Sequence, residues 1–354
     1  MRCASFFGMA AARRAAMNNR GERFLVVRLT ALGDILHTVP AAAALRAAHP
    51  DAKIDWVVER KWAPVLEGSP AINEVIPFDR RSLWGTIECV ERLRENQYTC
   101  AIDFQGLYKS SILAALSGAP RRIGFDRAWA REGGASIFYT ERVVPTGRHV
   151  AELNYSLAEQ AGASRPRSPE YPLRVPAGGA ASIRARLQEL GIRGEYIVVG
   201  PGGSWRAKCW PAARWGEFCR EFEMKNNMRV VLIYGPGEKS IADEAARTAT
   251  PAHPALIATT IEELMGLLAH ARCVVAADSG PLHLAAALGT LVVGLYGPTD
   301  PARNGPFVRG AVIVHKAQQE EISYKRRSDY SLAMLRITVD DVLGATDELL
   351  KAPA

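Results

Sequence analysis

Short apolar runs alternate with helical patterns along this chain, and that alternation predicts parallel sheets covered by helices, an α/β fold. In the first half, strands are predicted at Arg23–Leu29, Lys53–Glu59, Glu74–Phe78 and Cys100–Phe104. Helices are predicted between them at Val39–Ala48, Leu83–Glu95 and Lys109–Leu116. The strands are nearly continuous apolar runs, which is typical of strands buried on both faces.

Four prolines between residues 165 and 179 predict a linker, because proline disrupts regular structure. The alternation then resumes, with strands in the runs YIVVG, RVVLIYG, CVVAAD and LVVGLYG and helices between them. We therefore predict two similar lobes facing an interdomain cleft. The predicted segments are a basic tail (1–22), a first domain (23–164), the linker (165–179) and a second domain (180–354) that ends in a helix at Val339–Leu350. That helix fits against either lobe.

Composition narrows the possible partners. The formal net charge of +7 favours an anionic partner, but the basic residues are scattered and form no nucleic-acid module, so no nucleic-acid partner is predicted. The six cysteines have no C-x-x-C spacing, which argues against a zinc site or a disulfide scaffold. No apolar stretch approaches the ~20 residues needed to cross a bilayer. The prediction is a soluble or surface-bound protein.

Ligands of open parallel sheets bind beyond the carboxyl ends of the strands, so the loops there are the candidate sites. The loop after the first strand contains Gly33 and Asp34. Asp34 is suited to act as a general base, or it caps the following helix by accepting backbone N–H groups. The residues alone leave both roles open.

Two loops of the second lobe are rich in glycine. One contains Gly203, Ser204 and Lys208, whose backbone amides and cation suit a diphosphate, although a solvated turn has the same composition. It lacks the spacing of an ATP-hydrolysing P-loop. The other loop contains Glu238, which is either a hydrogen-bond acceptor for a ribose or a solvated turn residue.

The most specific segment runs from Asp278 to Gly289, a strand end, a tight turn and a helix. The N–H groups at the helix start, with the Ser279 hydroxyl, are suited to hold a phosphate. Asp278 is unfavourable beside a diphosphate unless it accepts loop hydrogen bonds or meets another cation. His283, one turn into the helix, is either a ligand donor or a satisfied core histidine.

These motifs give the sequence a resemblance to glycosyltransferase family 9, from about Arg23 to Phe307. The resembling segments are RLTALGDILHTVP (28–40), DWVVE (55–59), DFQGLYKS (103–110), GFDRAWARE (124–132), KCWP (208–211), ADSGPLHL (277–284) and LYGPTDP (295–301). The segments containing Lys109 and Arg131 favour an enzyme that adds the first heptose of the lipopolysaccharide core over one that adds the second.

The resemblance implies the GT-B arrangement of two Rossmann-like lobes, with no metal. It implies inverting, metal-independent transfer of heptose from ADP-heptose to the Kdo-lipid A inner core at the cytoplasmic face of the inner membrane, to which the enzyme binds peripherally. Asp34 is the implied base and Lys208 the implied diphosphate ligand. The other implied donor ligands are Gly203, Ser204, Glu238, Asp278, Ser279, Gly280 and His283. Lys109 and Arg131 are the implied acceptor ligands.

Two other interpretations remain open from the sequence. One is a later heptosyltransferase, or a member of the same family that uses another sugar nucleotide. The other is a catalytically silent nucleotide-binding protein of envelope assembly. The sequence departs from the family pattern at Gly203–Ser204 and in the loop that carries Glu238.

Overall fold

The computed structural model describes residues 21–203 and 205–351. The predicted basic tail, apart from its last two residues, and the predicted donor ligand Ser204 lie outside the described residues. The strands are β1 Arg23–Val27, β2 Lys53–Glu59, β3 Glu74–Phe78, β4 Cys100–Asp103, β5 Arg121–Phe125, β6 Glu141–Val143, β7 Tyr196–Gly200, β8 Arg229–Tyr234, β9 Ala255–Ala258, β10 Cys273–Ala277, β11 Val292–Tyr296 and β12 Val312–His315.

The α-helices complete the alternation. They are α1 Leu32–Leu36, α2 Val39–Ala48, α3 Ala63–Leu66, α4 Leu83–Glu95, α5 Tyr108–Leu116, α6 Val150–Gln160, α7 Ala177–Glu189, α8 Ala212–Asn226, α9 Lys239–Thr248, α10 Ile261–Ala269, α11 Gly280–Ala287, α12 Pro301–Asn304, α13 Leu332–Arg336 and α14 Val339–Lys351. Short 3-10 turns lie at Arg60–Trp62, Gly133–Phe138, Arg206–Lys208 and Gln319–Glu321.

The twelve strands form two six-stranded sheets that are parallel throughout, which confirms the predicted α/β class. The first sheet has the order β3-β2-β1-β4-β5-β6 and the second has the order β12-β11-β10-β7-β8-β9. Read from β7, the second sheet repeats the connectivity of the first. In each sheet the order reverses beside the first strand, between β1 and β4 and between β7 and β10. Such a reversal opens a ligand crevice at the carboxyl ends of those strands.

The contacts divide the chain into two units. Among the described residues, the first contains 21–30, 37–147 and 151–172, and the second contains 31–36, 148–150, 173–203 and 205–351. Helix α1, which carries Asp34, therefore makes its contacts within the second unit, although it follows a strand of the first sheet. The sequence-based domain boundaries remain a prediction.

The core of the second unit holds the C-terminal helix. Val342, Leu343 and Leu349 of α14 pack in one cluster with Trp215 and Phe218 of α8. The segment just before α14 is held through its backbone, because the Ile337 carbonyl accepts from the Trp210 Nε1–H over 3.0 Å. The sequence did not decide against which lobe this helix packs, and the structure shows that it packs in the second unit.

Candidate functional site

The reversal point of the second sheet brings two glycine-containing loops together. Strands β7 and β10 are paired with Ala276 opposite Gly200, so the loop after β7 and the turn after β10 begin side by side. The first loop carries Lys208 in a 3-10 turn. The second places Asp278 at the strand end and leads directly into α11. Lys208 and Asp278, which are 70 positions apart in sequence, thus lie together beyond the carboxyl ends of these two strands.

Lys208 and Asp278 form a buried ion pair at this edge. The Lys208 Nζ donates to Asp278 Oδ2 over 2.5 Å, and the Thr299 hydroxyl donates to the same oxygen over 2.8 Å. Lys208 is 9% exposed and Asp278 is 5% exposed. Of the two partners that the sequence left open for Asp278, loop hydrogen bonds or a cation, the structure shows the cation, Lys208.

His283 completes this cluster from the first turn of α11. Its Nε2 lies 3.2 Å from Asp278 Oδ1, and because a carboxylate only accepts, the ring proton is on Nε2. Burial acts to raise the pKa of Asp278, but the His283 hydrogen bond and the Lys208 charge outweigh it and hold that pKa well below its usual range. Asp278 is therefore a fixed carboxylate that orients both cation and imidazole.

The start of α11 is arranged to accept an anion. Ser279 is the N-cap, yet its hydroxyl makes no capping bond, and the buried Oγ has no hydrogen-bond partner among the described residues. Pro281 lies in the first turn, where its missing N–H costs nothing. An unsatisfied hydroxyl beside a helix N-terminus and the Lys208 ammonium has the chemistry of a phosphate site.

Helix α1 packs against α11, so Asp34 lies in the same unit as the Lys208–Asp278–His283 cluster. A Cβ on Gly33 would lie 2.9 Å from His283 Cδ2, and one on Gly280 would lie 2.9 Å from Leu32 Cδ2. Both glycines are therefore required for the close approach. Asp34 is half-buried, and its Oδ2 accepts from the Ala31 N–H at a long 3.4 Å. So long a contact is a weak cap.

Replacing Gly33 by alanine tests this packing. We expect Gly33→Ala to lower the free energy of unfolding by ~1–3 kcal/mol, because the hydrogen-bonded His283 ring cannot easily move from the added methyl group. Gly344→Ala in α14 is the control, since a Cβ there meets nothing within 4 Å and alanine favours a helix. Chemical denaturation of both variants measures the difference. If Gly33→Ala is as stable as the control, α1 does not pack on His283 as described.

The remaining predicted donor residues lie around the same loop. Glu238 precedes α9, and its Oε2 accepts from the Gly235 N–H over 2.9 Å. Its carboxylate lies against Gly202, where a Cβ would be 2.2 Å from Glu238 Cδ. A Cβ on Gly203 would approach Cys209 Sγ to 3.1 Å, so this loop is closely packed. These contacts place Glu238 beside the Lys208 loop and leave its ribose role a prediction.

Lys109 and Arg131 lie in the first unit, Lys109 in the first turn of α5 and Arg131 in the loop that follows β5. Lys109 Nζ is 3.7 Å from Glu59 Oε1 at the end of β2. Gly106 has φ +67°, and a Cβ there would lie 3.2 Å from the Arg131 backbone nitrogen. The Glu132 carboxylate accepts from the Tyr108 N–H over 2.6 Å and so ties the start of α5 to that loop. Their acceptor role remains a prediction.

Sequence reasoning did not select two side chains of the second unit that contact this cluster. Thr299 lies in the LYGPTDP segment, and that position after β11 was the available signal. Trp205 stacks on the cation, with Lys208 Nζ 4.3 Å from the ring centroid. No signal indicated the stacking, since it depends on the turn at Arg206–Lys208. Among residues 21–203 and 205–351, no three or more His, Cys, Asp and Glu side chains are grouped to hold a metal ion.

The acidity of Asp278 predicts a pH dependence of stability. Its folded pKa lies below the unfolded value, so its contribution is fully present above the unfolded pKa of ~4 and is lost as pH falls further. We expect the stability difference between the wild type and Asp278→Asn to be greatest above pH ~5 and to shrink below pH ~4. Thermal unfolding across that range measures it. A difference independent of pH would contradict the ionised pair.

Comparison with known proteins agrees with this architecture. Lipopolysaccharide heptosyltransferase 1 of Pseudomonas aeruginosa is 34% identical over 304 residues, 82% of this chain and 82% of that protein. The protein of the same name from Escherichia coli K12 is 30% identical, over 85% of this chain and 96% of that protein. The structure of E. coli heptosyltransferase WaaC with ADP superimposes with a TM-score of 0.75 at 29% identity, covering 92% of this chain and 99% of that one.

Two parallel sheets of this connectivity, in a chain that matches these structures, define a glycosyltransferase with the GT-B fold. The model of glycosyltransferase family 9 (heptosyltransferase) matches residues 87–333. The chain belongs to this family, and both the fold and the enzyme class predicted from its sequence are confirmed.

Proposed function

We propose that this enzyme transfers the first heptose from ADP-heptose to the Kdo-lipid A inner core of lipopolysaccharide. The observation that carries the donor half is the buried Lys208–Asp278–His283 cluster beside the start of α11. Support also comes from a second structure of E. coli WaaC, solved with ADP-2-deoxy-2-fluoro heptose, at 29% identity.

The assignment to the first heptose rests on the relatives. Heptosyltransferase 1 proteins of P. aeruginosa, Salmonella typhimurium and E. coli are 34%, 31% and 30% identical to this chain. Heptosyltransferases 3 and 2 of E. coli K12 are each 26% identical. The greater similarity to the first group favours an acceptor that carries no heptose.

The donor is held by the second unit in this proposal. Lys208 and the N–H groups at the start of α11 contact the diphosphate, and the Ser279 hydroxyl donates a further hydrogen bond. Asp278 keeps Lys208 and His283 in place. Gly203 and Gly280 let the backbone approach the nucleotide, Ser204 is a further donor ligand, and Glu238 accepts from the ribose. These groups stabilise the charge that grows on the departing ADP.

Transfer then proceeds with inversion. The Asp34 carboxylate takes the proton of an acceptor hydroxyl as its oxygen forms a bond to the anomeric carbon of the heptose. The bond from that carbon to the diphosphate oxygen breaks, and ADP leaves with the electron pair from the opposite face. Lys109 and Arg131 hold the anionic groups of the acceptor.

We place the enzyme peripherally at the cytoplasmic face of the inner membrane, because the acceptor is lipid-linked. None of the helices in the described ranges is long and apolar enough to cross a membrane. The test is ADP release from ADP-heptose in the presence of Kdo-lipid A, with UDP- and GDP-sugars as competing donors. Release that needs both ADP-heptose and this acceptor supports the proposal. Equal release without acceptor, or preference for another donor, contradicts it.

A further inference from the structure

The first two turns of α4 expose large apolar side chains. Leu83 is 73% exposed, Trp84 is 75% exposed and Ile87 is 39% exposed, whereas Cys89 and Leu93 on the opposite side of the helix are buried. We call Leu83, Trp84 and Ile87 the α4 tip. A protein surface rarely leaves a tryptophan and a leucine this exposed side by side without a partner.

The α4 tip is held in a defined helical conformation. Ser82 is the N-cap, and its hydroxyl accepts from the Gly85 N–H over 2.9 Å. The Thr86 hydroxyl donates back to the Ser82 carbonyl over 2.9 Å. The apolar side chains are therefore presented from a capped helix start.

A group of cations lies at the carboxyl ends of β2 and β3, and the second of these strands leads into the α4 tip. Strands β2 and β3 are paired with Glu59 opposite Phe78, so the residues that follow them emerge together. These residues are the exposed pairs Arg60–Lys61 and Arg80–Arg81, and Arg81 lies two positions before Leu83. Glu59 lies 3.6 Å from Arg80 and 3.7 Å from Lys109, which places the predicted acceptor ligand Lys109 at the same edge.

The segments at this edge carry charges of both signs, with the cations in excess at the ends of β2 and β3. Five cations stand there: Arg60, Lys61, Arg80, Arg81 and Lys109. The carboxylates of the same segments are Glu59, Asp79, Glu88 and Glu91, and Glu132 lies beside Lys109, where it accepts from the Tyr108 N–H. The Glu59 side chain is only 12% exposed, and Asp79 accepts from the Arg81 N–H over 2.9 Å. The exposed charge at the ends of β2 and β3 is therefore cationic, and the exposed carboxylates Glu88 and Glu91 lie further along α4.

We infer that the α4 tip inserts into the surface of an anionic phospholipid bilayer, with the flanking arginines and lysines bound to its headgroups. Tryptophan and leucine enter the interface between headgroups and acyl chains, and each nearby cation adds attraction to an anionic leaflet. The inference rests on the proposed function, because the proposed acceptor is lipid-linked. A bilayer bound at the α4 tip lies at the same edge as the predicted acceptor ligand Lys109.

Flotation with vesicles tests the inference. We expect the wild type to float with phosphatidylcholine vesicles containing phosphatidylglycerol, and to float less as salt is raised, because salt screens the cations. The double variant Leu83→Ser/Trp84→Ser should bind about tenfold more weakly, the loss expected when large apolar side chains no longer leave water. Both positions are exposed, so the fold should survive.

Met224→Ser/Leu332→Ser is the matched control, because those residues of the second unit are 72% and 65% exposed. Its vesicle binding should equal that of the wild type. Equal loss in both double variants, or no loss in Leu83→Ser/Trp84→Ser, overturns the inference. So does a wild type that ignores vesicles and instead forms oligomers that the α4 tip variant abolishes, since the tip would then bind a second copy.

Transfer assays separate this inference from the proposed function. The α4 tip variant should transfer heptose to a deacylated, water-soluble acceptor at the wild-type rate and should lose about tenfold on an acceptor embedded in vesicles. Absence of transfer by the wild type to either acceptor is a failure of the proposed function, and flotation still decides the inference. Equal rates for both proteins on the embedded acceptor contradict it.

Discussion

Asp34→Asn should lower the turnover number by ~10²–10⁴-fold, the usual contribution of general-base catalysis. The change keeps the size of the side chain and an oxygen for the Ala31 N–H, but it removes the carboxylate that accepts the proton. Stability and ADP affinity should change little, since asparagine caps helices about as well as aspartate. Initial rates, thermal unfolding and ADP binding on one preparation measure all three quantities.

The exposed Asp51 provides the control for charge alone. Asp51→Asn removes one carboxylate from the first unit and should leave turnover unchanged. If Asp34→Asn turns over within a few-fold of the wild type and loses only a little stability, Asp34 is a helix cap and another group accepts the proton.

Lys208→Ala should cost both stability and donor affinity. Removal of the ammonium leaves the Asp278 carboxylate buried without its cation, and breaking a buried pair in this way costs ~3–5 kcal/mol of the free energy of unfolding. The change also removes the positive charge that stabilises the departing diphosphate, so ADP-heptose binding and turnover should both fall. Lys225→Ala, at an exposed lysine of the same unit, should change neither donor binding nor turnover.

A second variant separates the two roles of Lys208. Lys208→Met/Asp278→Asn removes both charges, so most of the lost stability should return, because replacing both members of a buried pair by neutral groups is often tolerated. Donor affinity should stay low, since no ammonium faces the diphosphate. A double variant that binds ADP-heptose as the wild type does would show that Lys208 serves only to neutralise Asp278.

The strongly patterned elements of this fold could be predicted from the sequence. The helix predicted at Leu83–Glu95 has those bounds, and strands β2 and β3 also match. Strands β5, β6, β9 and β12 were not predicted, because β5 begins with two arginines, β6 has three residues, and β9 and β12 have only four residues each. These strands form because they pair with the strands beside them. Their own sequences contain little of the apolar pattern that predicts a strand.

The candidate site could be predicted as a set of residues but not as an arrangement. Loops after strands pointed to Lys208 and Asp278 separately, and the contact between them arises only from the pairing of β7 with β10. Asp34 was assigned to the first domain because it follows β1, whereas α1 makes its contacts in the second unit. Local sequence does not encode such contacts, because they depend on which distant surface a short helix meets.

The most direct measurement of the central claim is the mass of the acceptor after incubation with enzyme and ADP-heptose. The account predicts that Kdo-lipid A gains one heptose, that one ADP appears for each heptose gained, and that Asp34→Asn gains it far more slowly while still binding ADP. An acceptor that stays unmodified by the wild type, or that is modified only when it already carries a heptose, would contradict it.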